Sequence, residues 1–340
     1  MVVHSKLEGA NCFMVRRIQK VAVIGSGVMG SGIAAHLANC GFETHLFDIV
    51  PNSLTAEEEK AGLTLESPAV RNRFVDSAMA KLLKQKPAPL TTKRSLNNIK
   101  TGNLEDDLKE LSKVDWIIEV VTENLAIKKS LYDKIESVRT PGTIVSSNTS
   151  GISIDAMAEG RSEDFQKNFL GTHFFNPPRY LKLLEVIPSK YTDQAVLDYM
   201  LAFGEDAIGK GVVLAKDTPN FIGNRVGTYG LMITLQVMRE KGYSVGEVDS
   251  VTGPLIGRPS SATLRTLDVV GLDTFIHVAN NVYDNTTGEE QKVFEVPAYL
   301  AKMVENGWLG AKAGQGFFLK KGRDILELDL DTFEYGARKA

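Results

Sequence analysis

The stretch Lys20-Val21-Ala22-Val23-Ile24-Gly25-Ser26-Gly27-Val28-Met29-Gly30 decides how the rest of the chain is read. A short apolar run ends abruptly in glycine, which suits a buried parallel strand. From Val28 to Cys40 small and apolar residues recur at helical spacing, and Gly41 suits a helix C-cap. Thr44 to Asp48 then reads as a second strand ending in an acid. Strand, helix and strand in about thirty residues make a βαβ unit. The three glycines have separate tasks. Gly25 permits the tight turn, Gly27 leaves room for a pyrophosphate, and Gly30 lets helix and strand pack closely. Val28 and Met29 open the helix, whose free N–H groups face the phosphates. A GxGxxG spacing alone is a weak signal, and its place between a strand and a helix makes it strong. Asp48 could accept hydrogen bonds from a ribose 2′-hydroxyl and would repel a 2′-phosphate, which favours NAD over NADP. Its plainer reading is a strand-end turn aspartate.

Working outward, the parallel sheet resumes at Val114 to Val121, and a helix follows from Leu125 to Val138. Further strands fit Thr143–Ser147, Phe169–Phe175, Leu183–Ile187 and Gly211–Leu214, with a helix over Asp193–Ile208. Residues 51–113 are less regular; Phe74, Met79, Leu82 and Leu83 sit at helical spacing until Pro87 and Pro89. Lys216-Asp217-Thr218-Pro219 reads as a hinge, with proline placed for the first turn of a helix. Beyond Phe221 the strand-like runs almost vanish, apart from an extended piece at Gly314–Leu319. The expected fold is α/β: a Rossmann-type, doubly wound, mostly parallel sheet, followed by a smaller all-helical domain. The expected boundaries are a lead-in over 1–17, the dinucleotide-binding domain over 18–215, the helical domain over 216–325 and a polar tail over 326–340.

A chain of 340 residues accommodates two ordinary domains. A formal charge of -3 gives no case for nucleic acid as a partner. The two cysteines, Cys12 and Cys40, read as free thiols packed in the interior of a protein from a reducing compartment. No apolar run reaches the roughly 18 residues of a membrane span, and the N-terminus has no signal-peptide order. The default location is the cytoplasm. The five histidines show no metal-ligand spacing, so no metal is expected. The apolar stripe Leu231, Leu235 and Met238 reads as core or as a dimer face.

His173 falls at the end of an expected strand, in Gly171-Thr172-His173-Phe174-Phe175-Asn176-Pro177-Pro178. Ligands of open α/β sheets bind at the carboxyl ends of strands. Oxidising a secondary alcohol needs a base, and histidine serves near neutral pH. Glu185 lies inside the apolar run Leu183–Ile187, where a carboxylate is costly unless paired. A histidine would supply the partner, and the acid would fix its tautomer. An edge glutamate facing water is an equal reading from spacing alone.

The fingerprint loop, VTEN at 121–124, SNTS at 147–150, HFFNP at 173–177, LLEVI at 183–187, KDTPNFIGNR at 216–225 and GQGFF at 314–318 occur in this order. The ordered set resembles the L-3-hydroxyacyl-CoA dehydrogenase family over about residues 18–320. The resemblance implies His173 as general base, Glu185 as its partner, Ser150 as a hydrogen-bond donor to the reacting oxygen, and Asn224 as a substrate contact. It implies Glu123, Lys128, Asn148, Asn176 and Lys312 along the NAD site. The implied reaction is oxidation of an acyl-CoA 3-hydroxyl in fatty-acid β-oxidation, by a homodimer. Taken singly, Ser150 reads as a helix cap, Asn224 as a helix-surface residue and Lys312 as a solvated charge.

One segment departs from the family. Gly253-Pro254-Leu255-Ile256-Gly257-Arg258-Pro259 resembles a subgroup fused to an enoyl-CoA hydratase. The chain then reads either as the dehydrogenase part of a longer enzyme, with partner domains in the same chain, or as a short relative. In the family the excursion after the second strand contacts coenzyme A. Here Arg71, Arg73, Lys81, Lys84 and Lys86 could meet its phosphates, although a solvated face is the plainer reading. Two other functions compete: a dehydrogenase of a free hydroxy acid or sugar acid, and a non-catalytic NAD-binding scaffold.

Overall fold

The computed structural model describes residues 17–339. The chain divides into two units between Asp217 and Thr218.

The first unit is built on apolar runs too short to be anything but buried strands. Eight of them form one sheet: β1 (Lys20–Ile24), β2 (Glu43–Asp48), β3 (Ile99–Asn103), β4 (Trp116–Glu119), β5 (Ile144–Ser147), β6 (Phe169–Phe174), β7 (Leu183–Pro188) and β8 (Gly211–Leu214). Their order is β3-β2-β1-β4-β5-β6-β7-β8. Every neighbouring pair is parallel except β6 and β7. Parallel strands need both faces covered, and Val21, Val23, Trp116, Ile118 and Ile144 are all fully buried. Polar groups within this interior are matched across strands: the Trp116 indole donates to Ser146 Oγ at 2.9 Å, and Ser146 Oγ lies 2.7 Å from Thr172 Oγ1.

Helix α1 (Val28–Asn39) leaves the first glycine turn. Its residues Ile33, Ala34 and Leu37 are buried in the same core as β1. The irregular stretch after β2 contains short helices, of which Arg73–Leu82 is the longest. It also contributes β3, which the sequence reading did not foresee.

The second unit is mainly helical. Its largest helices are Gly223–Lys241 and Leu272–Asn285, and its core gathers Leu235, Leu264, Leu267, Phe275, Phe294 and Phe317. It is not all-helical. Residues β9 (Phe318–Lys321), β10 (Asp324–Leu328) and β11 (Tyr335–Ala337) form an antiparallel sheet. The expected polar tail over 326–340 is therefore corrected. Leu328 is buried and Tyr335 donates to the Gly316 carbonyl at 2.5 Å, so these two residues anchor the segment despite its charge. Cys40 is also corrected: it is free but exposed, because it caps the C-terminus of α1 where the chain turns outward. Cys12 and most of the 1–17 lead-in lie outside the described residues. Among the described residues no helix is long and apolar enough to cross a membrane.

Candidate active site

The parallel strands β1, β4, β5 and β6 bring their carboxyl ends to one edge of the sheet, so the segments leaving them converge. Gly25 leaves β1 at φ +105°, a conformation open to glycine and strained for other residues. A side chain at Gly30 would start 1.8 Å from the Gly25 carbonyl oxygen, so the helix lies directly on the turn. At Gly27 the result is the opposite: a Cβ would meet nothing within 4 Å. The space that a pyrophosphate needs is open there. Gly27 and Val28 open α1, with Val28 65% exposed and Met29 packed against the core.

Asp48, at the end of β2, reaches back to this loop. Its Oδ2 accepts from the Ser26 amide at 2.7 Å and the Ser26 hydroxyl at 2.5 Å, and its Oδ1 accepts from the Ile49 amide. A cavity of about 670 Å³ lies beside Gly25, Gly27 and Asp48, with Ile49, Val120 and Ile127 on its walls. Apolar walls with one carboxylate at the rim suit an adenosine.

Glu119 ends β4 with no solvent exposure and accepts four hydrogen bonds. The donors are Lys128 Nζ at 2.7 Å, the Val121 amide at 2.8 Å, the Tyr132 hydroxyl at 2.8 Å and Ser147 Oγ at 2.5 Å. Burial, with the Glu119 charge beside it, pushes the Tyr132 phenol well above its usual range and keeps it a donor. Lys128 also lies 3.3 Å from Glu123. At 1% exposure Lys128 is committed to these two carboxylates rather than to the open cavity. The sequence reading passed over Glu119. Its signal was an acid inside the apolar run 114–121, the same signal that picked out Glu185.

Glu123 fastens the loop after β5. Its Oε1 accepts from the Thr149 hydroxyl and from the amides of Ser150 at 2.9 Å and Gly151 at 3.1 Å. Burial opposes its ionisation, yet Lys128 and these donors hold its carboxyl below the usual range. Asn148 Oδ1 accepts from the Phe174 amide at 2.8 Å and so ties the end of β5 to β6 beside His173.

The antiparallel step between β6 and β7 sets His173 directly opposite Glu185. His173 Nδ1 lies 2.7 Å from Glu185 Oε2, with the histidine 3% exposed and the glutamate fully buried. The carboxylate accepts, so the proton sits on Nδ1 and Nε2 is the acceptor nitrogen of the ring. Ser150 Oγ stands 3.2 Å from that Nε2. Ser150 is not a helix cap; Ser153 caps the helix Ile154–Ala158. Asn176 is exposed just beyond β6. The first unit thus brings together the glycine loop, Asp48, Glu123, Lys128, Asn148, Ser150, His173 and Glu185. Asn224 and Lys312 belong to the second unit. Asn224 is half-buried in the first turn of Gly223–Lys241, and the Lys312 ammonium is paired with Asp273 at 2.6 Å.

Of the basic residues after β2, Arg71 is bound by Asp106 and Glu105, and Arg73 by Glu58. Lys81 lines a cavity of about 320 Å³ shared with Phe74, Ser77, Val28 and Asp48.

What the first unit presents is the equipment of an NAD-dependent dehydrogenase: room for a dinucleotide at the glycine loop, and a carboxylate-backed base at the end of β6. The chain belongs to the 3-hydroxyacyl-CoA dehydrogenase family. The family's NAD-binding domain matches residues 20–218 and its C-terminal domain matches residues 221–320. A Bacillus subtilis relative, named "Probable 3-hydroxyacyl-CoA dehydrogenase", is 63% identical over 325 residues. The match takes in 96% of this chain but only 41% of that protein, so this chain spans less than half its length. A Deinococcus radiodurans relative of the same name is 45% identical, over 91% of this chain and 84% of its own. The crystal structure of the (S)-3-hydroxybutyryl-CoA dehydrogenase of Ralstonia eutropha superposes with a TM-score of 0.72 at 27% identity, covering 88% of this chain and 98% of that one.

Proposed function

We propose that this protein oxidises the 3-hydroxyl of an L-3-hydroxyacyl-CoA to the 3-ketoacyl-CoA, as a step of fatty-acid β-oxidation. The observation that carries the reading is His173 set between Glu185 and Ser150. NAD, when bound, supplies the hydride acceptor. Gly25, Gly27, Val28, Met29 and Gly30 would receive its pyrophosphate, Asp48 its adenosine ribose, and Glu123, Asn148 and Asn176 the approach to its nicotinamide end. Lys128 acts by holding Glu123.

His173 Nε2 takes the hydroxyl proton, since it is the ring nitrogen not committed to Glu185. Ser150 Oγ lies 3.2 Å from the same nitrogen, and its hydroxyl would donate to the reacting oxygen. Glu185 holds the ring in one tautomer and stabilises the imidazolium that proton transfer creates. The family resemblance gives Asn224 a part in holding substrate and Lys312 a part in holding cofactor. Lys81, beside Phe74 and Ser77, is the basic residue best placed for a coenzyme A phosphate. A cytoplasmic location is consistent with the sequence, and the exposed Leu255, Ile256 and Val269 of the second unit suit a homodimer or a partner domain.

The test is consumption of NADH on addition of acetoacetyl-CoA, with NADPH and free acetoacetate as controls. Turnover only with NADH and the CoA ester is expected. Turnover with a free hydroxy acid instead would overturn the reading.

A further inference from the structure

The loop that carries Ser150 is fastened at both ends. Glu123 holds its near end through Thr149, Ser150 and Gly151. Its far end is held by Asp217. That carboxylate accepts from Ser153 Oγ at 2.7 Å and the Asp155 amide at 2.9 Å on Oδ2, and from the Ile154 amide at 3.0 Å on Oδ1. These are the groups that open the helix Ile154–Ala158, and Ser153 is itself the cap of that helix. Asp217 comes from 62 to 64 residues away in sequence and is the last residue of the first unit.

We propose that Asp217 is a positioning residue for the dehydrogenase reaction, acting through Ser150. The inference rests on the reading of Ser150 given above. Ser150 must hold its hydroxyl near His173 Nε2, now 3.2 Å away. On the helix side of Ser150, Thr149 Oγ1 accepts from the Ile152 amide at 3.0 Å, and the turn that follows is the one Asp217 pins. Three charge-assisted hydrogen bonds to one carboxylate are strong and directional. Displacing a reacting group by about 1 Å can cost roughly 10²-fold in rate. Asp217 also immediately precedes the connector at Thr218, so the path of the chain leaving the first unit is tied to the loop of Ser150.

The test is a double-mutant cycle on kcat with Ser150→Ala, Asp217→Ala and the double variant, alongside NADH affinity by fluorescence. Ser150→Ala is expected to lower kcat. Asp217→Ala is expected to lower kcat about tenfold or more while leaving NADH affinity intact. In the Ser150→Ala background, Asp217→Ala should change kcat by less than about twofold, since coupled residues are not additive. Asp217→Asn, which keeps one acceptor oxygen, should fall between. If Asp217→Ala does not fold, Ser153→Ala replaces it in the cycle. Full additivity, or unchanged kcat in the single Asp217 or Ser153 variant, overturns the proposal. A neutral Ser150→Ala overturns the role of Ser150 first and the coupling with it.

Discussion

Ser26 and Asp48 grip one another across the mouth of the dinucleotide cleft, the serine amide and hydroxyl both donating to Asp48 Oδ2. The carboxylate is therefore aimed by the protein itself, with Oδ1 accepting from the neighbouring Ile49 amide. Asp48→Ser should raise the KM for NADH by about tenfold or more, the scale of a lost charged hydrogen bond, and narrow the preference over NADPH. Ser26→Ala should raise the KM for NADH less, because the amide contact survives. Comparing kcat/KM for both cofactors checks each variant; an unchanged ratio in Asp48→Ser would remove Asp48 from cofactor choice.

His173→Ala should lower kcat by at least about 10²-fold, the usual contribution of a general base, and leave NADH affinity largely intact. Glu185→Gln keeps the shape but not the charge that supports the imidazolium, so kcat should fall without a matching rise in KM. Steady-state kinetics with acetoacetyl-CoA, beside NADH titration, separates these effects. Near-normal turnover in His173→Ala would exclude it as the base.

Lys128→Met should destabilise the first unit by about 3 kcal/mol, because it strands the fully buried Glu119 charge. Tyr132, Ser147 and the Val121 amide remain as donors and keep the loss near the lower end of the buried-pair range. Adding Glu119→Gln should restore part of it. Urea denaturation reports the three stabilities, and a Lys128→Met variant as stable as the parent would contradict the buried-pair account.

His36, within α1, donates from Nε2 to the Ile208 carbonyl at 2.9 Å. Burial, aided by the nearby charge of Lys210, lowers its pKa from the usual 6.5 to about 4. The unfolded chain thus binds a proton more readily than the folded one between these values. The stability from neutral His36 is full above about pH 6.5 and is lost as the pH falls through about 4. The whole effect is on the order of 3 kcal/mol. His36→Gln should flatten this part of the stability–pH curve in denaturation experiments. A variant with the same acid slope as the parent would place the titration elsewhere.

Much of this was legible in the residues. The β1–α1–β2 reading needed only an apolar run, three glycines and a terminal acid. His173 and Glu185 were each visible as costly groups at the ends or insides of apolar strands; spacing alone left their pairing an even choice, which the resemblance tipped, because it depends on the one antiparallel step in the sheet. Glu119 carried the same mark as Glu185 and went unread for want of an obvious partner; Lys128 reaches it from the following helix. β3 was hidden by its composition, Ile99-Lys100-Thr101-Gly102-Asn103, in which little is apolar. The strands β10 and β11 were hidden by charge, since only Glu327 and Leu328 of those strands are buried. Lys312 was read as a cofactor contact by resemblance, and in the second unit its ammonium faces Asp273.

The antiparallel pairing of β6 with β7 has a consequence for how such a protein can change over generations. Side chains alternate between faces, so slipping β7 by one residue would turn Glu185 away from His173. The connecting residues 175–182 carry no such constraint of register. A single deletion in β7 before Glu185 would turn its carboxylate to the other face and break the His173–Glu185 pair. His173 and Glu185 are thus inherited together, as one unit of register.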